Sequence, residues 1–350
     1  MANKEISCFN KTLILEEPTI YIDNKSRFRS GHMTHAMAEF KKGCIIDFNA
    51  NSSPVRHAGH SAFGFVEYRI SNDSAKTFSD IYELEYSKAS MLDGEHCISV
   101  EKAVACDDGS IVAFCLKNSV YGDSVGCTPW AIPTYIKSAD GGKNWSEPKD
   151  FCKYSGRIYG ALYHQKSIYV IMFCNEQFFG RDENDKFRLF KSDNNGESFE
   201  EVSVVPINSV SRSYCNIIFD ANNILHFYAY NVTDEENLDH AVSNDFGKTW
   251  SVTKPCYLAK GVRNHQIGYL DGLYIMHGRA GGLKGFVLYT SKDGVNFDEG
   301  RLLVEKESYC FYSNNIVLED EKGKFMLIQY SDTYDDSYRV DVWHQIIRVK

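Results

Sequence analysis

The sequence predicts an all-β protein, a six-bladed β-propeller, on three observations. One loop motif occurs five times at blade-length spacing, six apolar hairpins fall between the copies, and no helical period runs for any length. The copies are Ser71-Asn-Asp-Ser-Ala-Lys-Thr-Phe78, Ser138-Ala-Asp-Gly-Gly-Lys-Asn-Trp145, Ser192-Asp-Asn-Asn-Gly-Glu-Ser-Phe199, Ser243-Asn-Asp-Phe-Gly-Lys-Thr-Trp250 and the one-shorter Ser291-Lys-Asp-Gly-Val-Asn-Phe297. Their serines stand 67, 54, 51 and 48 residues apart. That is the length of a four-stranded propeller blade with its loops.

Each copy lies between strand-like runs, such as 286–290 before and 300–304 after the last one, which marks a hairpin turn. The Asp carboxylate accepts backbone N–H bonds across such a turn, and Gly supplies a positive φ. The closing Trp or Phe packs back under the turn, so these residues are expected to be structural. The hairpins fall at 37–46, 104–114, 161–170, 217–227, 267–275 and 316–328. The last blade lacks the loop motif, but residues 11–23 are strand-like and suit its outer strand. Residues 1–350 are therefore expected to form one domain, with segment 1–30 helping to close the last blade.

The chain has 350 residues, 43% hydrophobic and 24% charged, which is ordinary for a globular protein and enough for a full core. Its net charge is −9, from 38 basic and 47 acidic side chains. With no Lys/Arg-rich run, nucleic acid is not an expected partner. No stretch approaches the ~18 apolar residues of a membrane span. The opening Met-Ala-Asn-Lys-Glu has no apolar run behind it and predicts no secretory leader. Eleven scattered cysteines, with no Cys-x-x-Cys, predict reduced thiols and a cytoplasmic location. No cofactor is expected. No metal is expected either, because the His-x-x-His pairs at 32/35 and 57/60 have no accompanying carboxylate.

In a propeller, the inner strand of each blade starts beside the axis at one face, so the residues there converge. Here that set holds His32, His35, Glu101, Arg157, Tyr159, Tyr214, Asn216, Arg263, His265, Tyr312 and Asn314. Loops after the second strands add Arg56, His57, His60, Lys117, Asn175, Asn231, His277, Arg279 and Asp332. The convergence is rich in His, Arg and Tyr and poor in carboxylates, which suits an anionic or heavily hydroxylated sugar. His35, Arg56, Arg157, Tyr214, Arg263, His265 and Arg279 are the expected substrate-binding residues, the arginines gripping a carboxylate or sulfate by forked hydrogen bonds. Glu101 is either a general acid/base or half of an ion pair with a pocket arginine. His57 or His60 offers an imidazole able to act as acid or base near neutral pH.

The five loop motifs, together with Phe311-Tyr312-Ser313-Asn314-Asn315 and the hairpin closing at Gln329-Tyr330, resemble the Asp-box (BNR repeat) proteins, of which sialidases are the best known. The resemblance covers roughly residues 30–345 and implies a sialidase-like propeller with Tyr312 on the position of the sialidase nucleophile. A neutral phenol suits an anionic sugar, since it avoids the repulsion a carboxylate nucleophile would meet. The family pattern is incomplete. Gly31-His-Met-Thr-His-Ala36 has no Arg where the family begins a carboxylate-binding triad, and Asn51-Ser-Ser-Pro-Val-Arg-His-Ala-Gly-His60 has no acid where the family carries an acid/base Asp. Ser213-Tyr214-Cys215-Asn216 stands where a Glu would activate the tyrosine, and Met276-His277-Gly278-Arg279 lies near a triad arginine.

A divergent relative is therefore expected, an exo-acting glycoside hydrolase on a short anionic glycan, sialic-acid-like or uronate-containing. Tyr312 would be nucleophile or base and His57 or Glu101 the proton donor. Two alternatives stay open: a polysaccharide lyase with a Tyr/His pair, and a sugar-binding propeller without catalysis.

Overall fold

The computed structural model of the chain describes residues 4–54, 63–94, 96–119, 130–335 and 339–350. Six antiparallel sheets follow one another along the chain, each a meander running outward from the axis. The first blade comprises Met37–Lys41, Cys44–Ser52, Gly64–Ser71 and Tyr82–Glu83. The inner strands of the next four blades are His96–Ala105, Arg157–His164, Arg212–Phe219 and Arg263–Leu270, and that of the sixth is Ser313–Asp320. Each inner strand packs against the inner strand of the next blade, all the way round and from the sixth back to the first. That closed circuit is the six-bladed β-propeller expected from the repeat.

The ring closes through the start of the chain. In the sixth sheet Val340–Val349 pairs with Gly323–Thr333 on one side and with Lys11–Leu15 and Thr19–Ile22 on the other. Lys4–Cys8 adds the outermost strand by pairing with Lys11–Leu15. Where the sixth blade meets the first, a buried polar seam forms. Asp47 accepts from His344 Nε2 at 2.9 Å and from Gln329 Nε2, and the His344 ring stacks on Tyr21 with centroids 4.1 Å apart.

The repeated loops occupy the turns between third and fourth strands of the first five blades, and they share one hydrogen-bond scheme. In the fourth copy Ser243 Oγ donates to Asp245 Oδ1 (2.7 Å) and accepts from Gly247 N (2.8 Å). Asp245 accepts from the Thr249 backbone N–H (2.9 Å) and hydroxyl (2.6 Å). The Asp73, Asp140 and Asp293 copies repeat this with only the partners changed. Gly247 has φ 85, while the first copy holds the same turn with Ala75 at φ 66, a conformation that costs a residue with a Cβ. Hydrogen bonds from Thr249 and its own backbone hold the Asp245 carboxyl down to about 2.

Apolar alternation on the strands fills the spaces between blades, for example Ile171, Phe173, Phe187, Leu189 and Phe227 between the third and fourth. The described cysteines are all free thiols. Among the described residues no helix is long and apolar enough to cross a membrane.

Candidate active site

The inner strands do not pair with their neighbours residue for residue. In the second blade Val100 faces Cys115 and Lys102 faces Phe114, so Glu101 is skipped. In the third, Ile158 and Gly160 pair while Tyr159 is skipped. In the fourth, Ser213 and Cys215 pair and Tyr214 is skipped. In the fifth, the register shifts between Arg263 and Gln266, across Asn264 and His265. A bulge of this kind bends the strand and re-aims one side chain. Glu101, Tyr159, Tyr214, Asn264 and His265 all line one cavity at the axis, which Tyr312 joins from the sixth blade. Two lining residues hold left-handed backbone, Thr34 at φ 69 and Asn264 at φ 57. Strain of this kind concentrates where side chains are aimed for a task.

Tyr312 and Tyr214 meet with their hydroxyls 2.9 Å apart. Tyr312 is 8% exposed. Arg157 lies against both phenols, its guanidinium carbon 5.9 Å from the Tyr214 ring centre and 5.8 Å from that of Tyr312. Arg263 lies 5.3 Å from the Tyr214 ring centre. Burial pushes both phenols up. For Tyr214, the charges of Arg263 and Arg157 outweigh burial and bring it below the usual phenol range. Tyr312 goes well above that range, from burial and from the negative charge that Tyr214 gains. The pair thus has an acidic member, Tyr214, and a proton-holding member, Tyr312.

Arg157 is held from the other side by Glu101, with Oε2 2.6 Å from Nη2 and 2.8 Å from Nε. The two side chains are 4% and 8% exposed, so this is a buried pair. Burial alone would weaken the guanidinium's hold on its proton, but Glu101 and the surrounding phenol oxygens strengthen it. Among the described residues, Glu101 Oε1 and Arg157 Nη1 have no hydrogen-bond partner. Buried polar atoms left open in this way mark where a ligand or water is received. His35 also lines the cavity, with Nδ1 2.7 Å from Gln329 Oε1. Burial takes His35 down to about 4 and His265 to about 3, so both rings are neutral near pH 7. Arg279 is buried beside this group and donates from Nη1 to the Tyr309 carbonyl (2.6 Å). Arg56, His57 and His60 lie outside the described residues.

The site's charge is lopsided. Arg157, Arg263, Arg279 and Lys102 gather around the axis, with Glu101 as the carboxylate among the described cavity-lining residues. The cavity itself is small, about 40 Å³, against the roughly 300–1,000 Å³ of ordinary small-molecule sites. A ligand the size of a ring would therefore sit at the mouth, with only a substituent reaching in. Sequence reasoning missed Lys102, which sits one residue after the bulge and extends across the axis to Gln266 and Asn314. Strict alternation after an inward Glu101 turns Lys102 away, and only the bulge permits both.

No family model matches the sequence, and no curated protein matches it. Among solved structures, the fold is similar to that of a protein of unknown function from Dyadobacter fermentans DSM 18053, at 12% identity over 97% of this chain and 99% of that one, with a TM-score of 0.72. It is also similar to the Hadza microbial sialidase Hz136, at 12% identity over 95% of this chain and 68% of that one (TM-score 0.71). Trypanosoma rangeli sialidase in complex with sialic acid matches at 12% identity over 99% of this chain but 58% of its own length, with a TM-score of 0.62. At these identities the likeness is one of fold, and the fold is the sialidase propeller.

Proposed function

We propose that the chain is a glycoside hydrolase that removes an anionic sugar, sialic-acid-like or a uronate, from the end of a short glycan. The observation that carries this reading is the Tyr214–Tyr312 hydroxyl pair at 2.9 Å, set among arginines. Arg263, Arg279 and the open Nη1 of Arg157 receive the sugar's carboxylate. In its ionised form Tyr214, the more acidic phenol of the pair, takes the proton of Tyr312 as the Tyr312 oxygen attacks the anomeric carbon. Tyr214 thereby does, with a phenol, what a carboxylate base does elsewhere. Glu101 is given the role of holding Arg157 in place through Oε2. His265 and His35 supply neutral polar walls. On sequence alone, Arg56 is proposed as a further anchor and His57 as a polar contact to the substrate.

The same-fold sialidase bound to sialic acid puts sialosides first in a substrate panel, with glucuronides and galacturonides beside them. The parent should release the anionic sugar from at least one of these, and Tyr312→Phe should abolish release while keeping binding. Parental turnover by Tyr312→Phe would end the nucleophile assignment. Binding across the panel with no turnover by the parent would instead support a sugar-binding propeller.

A second reading has one specific support. The neutral His32 ring lies edge-on to Tyr312 with centroids 4.5 Å apart, a Tyr/His pair of the sort a uronate lyase would use. Only elimination leaves a conjugated double bond, so an ultraviolet-absorbing product would favour the lyase.

A further inference from the structure

We propose that Lys102 is the proton donor and acceptor for the glycosidic oxygen in this site, an assignment that rests on the glycoside-hydrolase reading above. The first support is position. Lys102 is 8% exposed and lines the same cavity as Tyr214, Tyr312 and Glu101. From the second blade its Nζ donates to Asn314 Oδ1 on the sixth (3.0 Å) and to Gln266 Oε1 on the fifth.

The second support is what surrounds it. Both acceptors are neutral amides, and the nearby Glu101 oxygen Oε2 is taken by Arg157. A buried ammonium with only amide partners is costly and readily gives up its proton. Burial brings Lys102 down to about 7, with Glu101 opposing and Arg157 assisting. The other groups facing it from each blade are Cys215, His35, His265 and His277. Burial drives the three imidazoles far below neutrality and the Cys215 thiol well above it, so none exchanges a proton near pH 7. Tyr159 is pushed up as well. Among these described groups, Lys102 is the one suited to both giving and taking a proton at neutral pH.

The steps balance. As the Tyr312 oxygen bonds to the anomeric carbon, the bond to the leaving oxygen breaks, and that oxygen takes a proton from the Lys102 ammonium. Lys102 is now a neutral amine, and Tyr214 holds the proton from Tyr312. Water then attacks the anomeric carbon, gives its proton to Lys102, and the Tyr312 oxygen leaves and recovers its own proton from Tyr214.

The rival role for Lys102 is a strut tying three blades together, and leaving-group dependence separates the two. Kinetics would be measured on an alkyl glycoside and on the 4-nitrophenyl glycoside of the same sugar, whose weakly basic leaving group needs little protonation. Lys102→Met should lose about 10²- to 10⁴-fold in kcat on the alkyl glycoside, much less on the 4-nitrophenyl glycoside, with KM little changed. The parent's turnover of the alkyl glycoside should fall as pH rises through about 7, and Lys102→Met should lack that limb. Lys102→Arg keeps the cation and its amide bonds but cannot donate near neutrality, so it should behave like Lys102→Met. Equal losses on both glycosides, or parental activity in Lys102→Arg, would overturn the Lys102 assignment and leave the hydrolase reading standing. A parent that cleaves no glycoside would overturn that reading itself, and this assignment with it.

Discussion

Tyr214 and Tyr312 share a hydrogen bond of 2.9 Å, yet their surroundings drive the two phenols in opposite directions. Both phenols are buried with Arg157 and Arg263 nearby; for Tyr214 the arginine charges outweigh burial, whereas for Tyr312 burial and its partner's charge outweigh the arginines. An ultraviolet pH titration of tyrosinate should therefore show one tyrosine ionising below the usual range in the parent. Tyr214→Phe should remove that transition and cost about 10²- to 10⁴-fold in turnover. Arg263→Gln should move the transition upward. A parent titration with every tyrosine at or above the usual range would contradict this assignment.

Glu101 and Arg157 form a buried pair, so breaking it from one side should hurt more than removing it. Glu101→Gln leaves the Arg157 charge without its partner and should cost about 3–5 kcal/mol in urea unfolding. The double variant Glu101→Leu/Arg157→Met should recover much of that stability while losing ligand binding. Stability of the double variant at or below that of Glu101→Gln would mean the pair is worth more than its desolvation.

The loop carboxylates predict an acid-side dependence. Asp140, Asp245 and Asp293 are held at about 2, chiefly through N–H and hydroxyl donors. A depressed folded value contributes stability above the unfolded value near 4, lost as pH falls toward 2. Asp245→Ala should cost roughly 1–2 kcal/mol at pH 7, as loss of a capping side chain does. The gap between parent and variant should close between pH 4 and pH 2. A gap that stays constant over that range would exclude the carboxylate's charge as its source.

The buried imidazoles act in a different window. His32, His265 and His277 are held at about 3 by burial. Between about 6.5 and 3 the unfolded chain binds protons that the folded chain refuses, so stability falls as pH is lowered through this range. Urea unfolding at pH 7.5, 6 and 5 should show a steady loss, with a shallower slope in His265→Leu. An unchanged slope in that variant would mean His265 is protonated, or readily hydrated, in the folded protein.

Much of the fold was legible because propeller blades repeat. The five loop copies and six hairpins sit where alternation and turn chemistry put them, and each hairpin joins first and second strands. The cavity was legible in part. Tyr312, Tyr214 and Arg157 were found because they stand at or beside inner-strand starts, a position set by the repeat, whereas Glu101 lies mid-strand at the bulge of His96–Ala105. Their pairing was not, because which residues touch across the axis depends on blades far apart in sequence. Lys102 was hidden for a local reason, since a bulge has no composition signature and reverses the facing of every residue after it. The loop carrying Arg56 and His57 lies outside the described residues, so its part in the site rests on sequence alone.

The skipped residues of the inner strands have an evolutionary consequence. At Glu101, Tyr159 and Tyr214 the side chain is presented to the centre while the strand's rungs close above and below it. Such a position can change identity without asking its neighbours to re-pair. A ring that offers one exchangeable socket from several blades to the same cavity can trade a carboxylate for a phenol, or a phenol for an imidazole, one blade at a time. The scaffold's durability and the variety of its chemistry would then be separate inheritances, and a departure from a parent activity need leave no trace in the architecture.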